Sequence, residues 1–149
     1  MSGKLVAGID SAGNKAPITI APNGGIRLGV VKAQMTRLCS IVIRDTKAKY
    51  PVTNWDISEE AEIALLITNT HDQDITLIFH LQDYGGLTKA DGTAMAFVVP
   101  SNTKMMYVTG NEIPILSHPF GAEVAIQTNA TIAPLVGVLN IYAHTIKRT

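Results

Sequence analysis

The sequence predicts an all-β protein, an antiparallel β-sandwich or jelly-roll-like barrel of about eight strands with an extended N-terminal arm. Three observations carry this. Apolar residues alternate with polar ones at period two through most of the chain after Ile26, turn-forming residues recur between the runs, and helical periodicity is nearly absent. At 149 residues the chain fits one ordinary domain able to bury a core without staples. We divide it into an arm, 1–25, and a sandwich domain, 26–149.

Residues 1–25 hold Gly3, Gly8, Gly13, Gly24 and Gly25, two prolines and few large apolar side chains, which reads as an arm with one short strand at Ile18-Thr19-Ile20. Ile26, Leu28 and Val30 then alternate, as do Cys39, Ile41 and Ile43. Asp56-Ile57-Ser58-Glu59 has capping-box spacing and predicts one helical turn before Ile63. Ile63, Leu65 and Ile67 face one way, and Ile75, Leu77, Phe79 and Leu81 face inward after the polar stretch Asn69–Asp74, which predicts a hairpin. Tyr84-Gly85-Gly86 breaks the second strand, and Asp91-Gly92 marks a tight turn. Strands follow at Met95–Val99, Lys104–Thr109, Ala122–Thr128 and Val136–Ile146. The last is apolar on both faces and belongs at a sheet centre or an interface.

Charged residues make up only 16% of the chain against 46% hydrophobic, a balance that suits surface buried against partners. The zero net charge hides a division. Residues 1–49 carry eight Lys/Arg and two acids, or +6, residues 50–123 carry two Lys and ten acids, or −8, and residues 124–149 add +2. Such asymmetry points to an oppositely charged surface, either nucleic acid or another protein. The basic residues are spread singly without interleaved aromatics, which favours protein. Candidate contacts are Lys4, Lys15, Arg27, Lys32 and Arg37 on the basic side and Asp56, Glu59, Glu60 and Glu62 on the acidic side.

Cys39 alone forms no internal disulfide and reads as a buried, inert thiol. No apolar run is long enough for a membrane helix, and Asp10, Asn14 and Lys15 interrupt any signal-peptide pattern, so synthesis is expected in the cytoplasm. Phosphate-loop, dinucleotide, zinc-protease, nucleophile-elbow and paired-cysteine motifs are absent from the sequence, and no enzyme activity or cofactor is expected. His71, Asp72 and Asp74 could hold a hard cation if they share a loop, but they are also ordinary turn residues. His80, His118 and His144 are scattered, and Trp55 beside Asp56, Glu59, Glu60 and Glu62 reads as a core cap next to a solvated turn.

The run Ala61–Thr70 with its return Asp74–Leu77, followed by Val98-Val99-Pro100-Ser101-Asn102-Thr103-Lys104 and by Pro119-Phe120, resembles the small head-decoration (cement) proteins of tailed bacteriophages over residues 61–146. The resemblance implies a structural virion protein on the capsid surface, homotrimeric, bound to the major capsid protein or another lattice subunit, and contacting neither nucleic acid nor membrane. Two other readings stay open. One is a fibre, tail or pilus-like structural subunit. The other is a carbohydrate-binding jelly roll with Trp55, Tyr84 or Tyr107 as stacking platforms.

Overall fold

The computed structural model describes residues 19–20, 26–27, 33–81, 85–117 and 123–147. The chain divides into two units, residues 1–32 and 33–149. In the first, strands β1 (Thr19–Ile20) and β2 (Ile26–Arg27) pair antiparallel as a two-stranded sheet of their own. Most of the expected arm, and Leu28 to Val31 of the first expected strand, lie outside the described residues.

The second unit is an antiparallel β-sandwich. Its strands are β3 (Gln34–Ile41), β4 (Lys49–Asp56), β5 (Glu60–Asn69), β6 (Ile75–Leu81), β7 (Gly85–Gly86), β8 (Ala96–Val99), β9 (Thr103–Val108), β10 (Glu123–Asn129) and β11 (Leu139–Lys147). One sheet has the order β3-β11-β5-β9. The other runs β4-β10-β6, with β7 and β8 both paired to β6. Apart from the two-residue β7, the connections alternate between the sheets, β6 to β8 alone staying within one. That crossing pattern is the double-sheet jelly roll.

The core lies between the sheets and follows the period-two signal. Ile63, Leu65 and Ile67 on β5, Leu139, Ile141 and Ala143 on β11, Ile75, Leu77 and Phe79 on β6, and Val124 and Ile126 on β10 are buried in one cluster. β11 is the doubly apolar strand of the sequence, and it runs centrally between β3 and β5. Asp91-Gly92 makes its tight turn, with Gly92 at φ +89° and its amide on the Lys89 carbonyl.

Two expectations are corrected, and one strand is added. β5 and β6 are not a hairpin. They lie in opposite sheets, and residues 70–74 arch between them, because β5 pairs with β11 and β9 and β6 with β10 and β8, so that their apolar faces meet across the core. Asp56–Glu59 forms no helical turn. The Asp56 carboxylate accepts the Ser58 amide at 2.9 Å and the Glu60 amide reaches the Ile57 carbonyl, closing a tight crossover instead. Strand β4 was not foreseen, since Pro51, Asn54 and the exposed Thr53 interrupt its alternation.

Candidate functional site

The sequence offers no catalytic set, so the functional surfaces are sought where chemistry and exposure depart from the rest of the sandwich. Two regions stand out, one end of the sandwich and one face of a sheet.

At one end, the loops 42–48, 70–74, 100–102 and 130–138 meet around His71, which is fully buried. The Ile43 amide donates to His71 Nε2 at 3.1 Å. That nitrogen therefore carries no proton, and Nδ1–H donates to Asn69 Oδ1 at 2.9 Å. Asn69 Oδ1 also accepts the His71 amide, while its Nδ2 serves the carbonyls of Gln73, Val99 and Pro100. Asn102, at a left-handed φ of 57°, donates its amide to the His71 carbonyl. Asp72 accepts the Leu135 amide, Asp74 accepts the Ser101 amide, and Arg44 reaches the Gly137 carbonyl. Burial, then the nearby Arg44 charge, hold the His71 pKa below its ordinary value against the opposing pull of Asp72.

His71, Asp72 and Asp74 are thus spent on loop architecture. Among the described residues no group of three potential ligands converges for a metal. What the frame holds outward is apolar: Val42, Ile132, Leu135 and Val136 are all largely exposed, Leu135 at 77%.

The two sheet faces differ in chemistry. The outer face of the β4-β10-β6 sheet carries polar cross-links beside the exposed Tyr50 and, on β8, Val98. His80 Nε2 meets Gln127 Oε1 at 2.8 Å, Asn54 donates to Glu123, and the Tyr50 ring stands edge-on to His80. The outer face of the β3-β11-β5-β9 sheet carries an aromatic and aliphatic patch beside a polar row of Ser40, Asn140 and Thr68. Ladder register places Arg37, Tyr142, Leu66 and Tyr107 in one row across all four strands, and Met35, His144 and Ala64 in the next. Tyr107, Met35 and Met105 are more than half exposed. Ala64 sinks between taller neighbours at the floor of a groove of about 360 Å³ lined by Glu62, Tyr107, Thr109, Leu116 and His144.

The acidic candidates divide. Glu59 and Glu60 gather on Lys147, at 3.9 and 3.4 Å, and Asp56 lies within reach of the same charge. The Ser58 hydroxyl and amide are the main reasons its carboxyl sits below the usual range. Glu62 stands apart on the aromatic face, exposed in register with Ile146. Of the basic candidates, Arg37 is exposed in the aromatic row. Lys4, Lys15 and Lys32, and the side chain of Arg27, lie outside the described residues, as do Tyr84, His118, Pro119 and Phe120. Cys39 is half-buried, and burial pushes its thiol up to about 11, leaving an inert group. Trp55 packs against the core as expected.

Sequence reasoning did not single out the aromatic row or the apolar loop end. The available signals were the two-sided apolarity of β11 and the clustering of Ile132, Leu135 and Val136 in a segment with turn character. No protein-family model matches the chain, and neither a curated protein nor a solved structure shows significant similarity to it.

Proposed function

We propose that this chain is a structural protein of a virion surface, a decoration (cement) protein that binds the outside of a capsid lattice and stabilises it. The carrying observation is the loop end, where Val42, Ile132, Leu135 and Val136 are held out into water by hydrogen-bonded loops, through buried bonds at His71 and an exposed one from the Leu135 amide to Asp72. A surface already fixed in its contact shape loses little freedom on docking, and apolar side chains displayed this way mark interaction sites.

Further support comes from the fold and the charge pattern. The double-sheet jelly roll recurs in viral capsid and lectin domains, an argument by analogy of fold. Val99-Pro100, one of the segments on which the resemblance to phage decoration proteins rests, is where the chain leaves β8 and crosses to the opposite sheet. In this reading the basic residues Lys4, Lys15, Arg27, Lys32 and Arg37 meet acidic surface on the major capsid protein or another lattice subunit. Asp56, Glu59, Glu60 and Glu62 offer acidic contacts to neighbouring subunits. The chain is made in the host cytoplasm and ends on the capsid surface, where copies assemble, threefold if the family resemblance holds.

The test is co-sedimentation of the full chain with preformed, DNA-free shells of tailed bacteriophages, followed by shell melting. Bound protein should raise the shell melting temperature, as a ligand of the assembled state must. An unchanged melting curve at saturating protein sinks the reading. One observation favours a second reading, a sugar-binding jelly roll: Tyr107 stands exposed over a groove that also presents Glu62, Asn111 and Ser117. A glycan array without hits removes it.

A further inference from the structure

We propose that His71 is a proton-operated latch: a proton on Nε2 lets go of loop 42–48 alone, so that Val42 leaves the apolar end while loops 70–74, 100–102 and 130–138 stay joined. That this end docks on a capsid lattice rests on the decoration reading. The latch itself does not.

The two ring nitrogens have different neighbours. Nδ1 already carries the proton it donates to Asn69 Oδ1 at 2.9 Å, so charging the imidazole changes nothing on that side. Asn69 keeps the carbonyls of Gln73, Val99 and Pro100, and loops 70–74 and 100–102 stay where they are. Loops 70–74 and 130–138 are tied without the ring, through the Thr70 amide and hydroxyl on Val138 and the Leu135 amide on Asp72. Nε2 is the weak point. It accepts the Ile43 amide at 3.1 Å, and a proton there sets two donors against each other with no acceptor between them.

Charge acts in the same direction. Of the loops that meet here, 42–48 brings Arg44, Asp45 and Lys47, and 70–74 brings Asp72 and Asp74. Loops 100–102 and 130–138 have no charged residue. Asp45 is engaged with Lys49 and the Lys47 amide, and Asp74 with the Ser101 amide. The charges felt at the ring are those of Arg44 and Asp72. An imidazolium repels Arg44, on the loop to be released, and attracts Asp72, on its own loop. Arg44 also holds the Gly137 carbonyl at 3.1 Å, but this bond is exposed and sits at the end of a flexible side chain, so water replaces it at small cost.

Val42, more than half exposed, directly precedes the Ile43 amide. Losing that anchor takes Val42 away from Ile132, Leu135 and Val136. A surface fixed in its contact shape becomes one that must be ordered again on docking. Because the ring is buried and near Arg44, the latch opens only as pH falls below the ordinary histidine value of about 6.5. One proton moves the balance by at most about tenfold per pH unit.

The experiment is nuclear magnetic resonance of the full, isotope-labelled chain, taken from about pH 7.5 to about pH 5. The His71 ring and the Ile43 amide should titrate together with one midpoint below about 6.5. The protection factor of the Ile43 amide should fall about tenfold or more, while the Thr70 and Leu135 amides keep theirs. Arg44→Gln should move the midpoint upward, and His71→Gln, which takes no charge, should abolish the step. The ring and amide readouts of wild type decide the matter even if His71→Gln fails to fold. A ring that stays neutral to about pH 5 overturns the proposal, as does an Ile43 amide indifferent to it, or protection lost at Ile43, Thr70 and Leu135 in one event. Shells bound at about pH 7 should be held about tenfold more weakly at about pH 5, and undiminished binding overturns the link to docking. No binding at either pH tells against the decoration reading and leaves the amide readouts unmoved.

Discussion

His71 accepts the Ile43 amide through Nε2, so protonating that nitrogen breaks the bond joining loops 42–48 and 70–74. Its folded pKa lies below the ordinary value because burial and Arg44 oppose the charge. A depressed pKa contributes stability that is fully present above the unfolded value of about 6.5 and is lost as pH falls through the folded value. Urea midpoints measured downward from neutral pH should therefore begin to drop as pH falls through about 6.5. His71→Gln should flatten that part of the profile and cost roughly 2–3 kcal/mol at neutral pH, since buried partners lose their bonds. Asp45, Asp56, Asp72 and Asp91 are also depressed, and their contributions persist until pH falls below the ordinary carboxylate range. Gly137 sits in the same knot at φ +95°, where an added Cβ would strike the Thr70 carbonyl. Gly137→Ala should lower stability by about 1–3 kcal/mol, read from the denaturant midpoint.

At the scale of the element, β11 carries the sandwich. Ile141 is fully buried and pairs with Cys39 on one side and Ile67 on the other. Ile141→Ala should cost about 2–5 kcal/mol in equilibrium unfolding, while Ser40→Ala on the exposed side of β3 should stay within about 0.5 kcal/mol. Asp72→Ala frees the Leu135 amide, and hydrogen exchange there should quicken while the β11 amides stay protected. The buried side of β5 and β6 was legible in the sequence, because alternation reports which residues face inward, while β11, apolar on both faces, gave its central place and not its buried side. Pairing was not legible. The polar stretch 69–74 suits a hairpin and a sheet-crossing arch equally, and only long-range burial separates them. His71 was visible as a turn residue, yet its role depends on Ile43, 28 positions away. The aromatic row was hidden for the same reason: Arg37, Leu66, Tyr107 and Tyr142 become neighbours only through the ladder.

For the whole molecule, every member of the buried cluster among the described residues falls between Ile43 and Ala143. A chain of residues 33–149 should therefore fold with a melting temperature within a few degrees of the full chain, by differential scanning calorimetry. On the decoration reading it should also lose most of its affinity for capsid shells, because Lys4, Lys15, Arg27 and Lys32 go with the deleted segment. If the shortened chain unfolds, the leader belongs to the core and its separate role is wrong.

β3 pairs with β11 and β4 with β10, so the first two strands of the sandwich have no other ladder partner among the described residues. A ribosome that has not yet released residues 123–147 holds a polypeptide in which neither sheet can close. Nascent chains must keep β3 and β4 unpaired until residues 123–147 emerge, and such strands are open to wrong neighbours meanwhile. Productive folding therefore waits for residues 123–147, and a truncation before Glu123 should leave β3 and β4 without ladder partners in both sheets together.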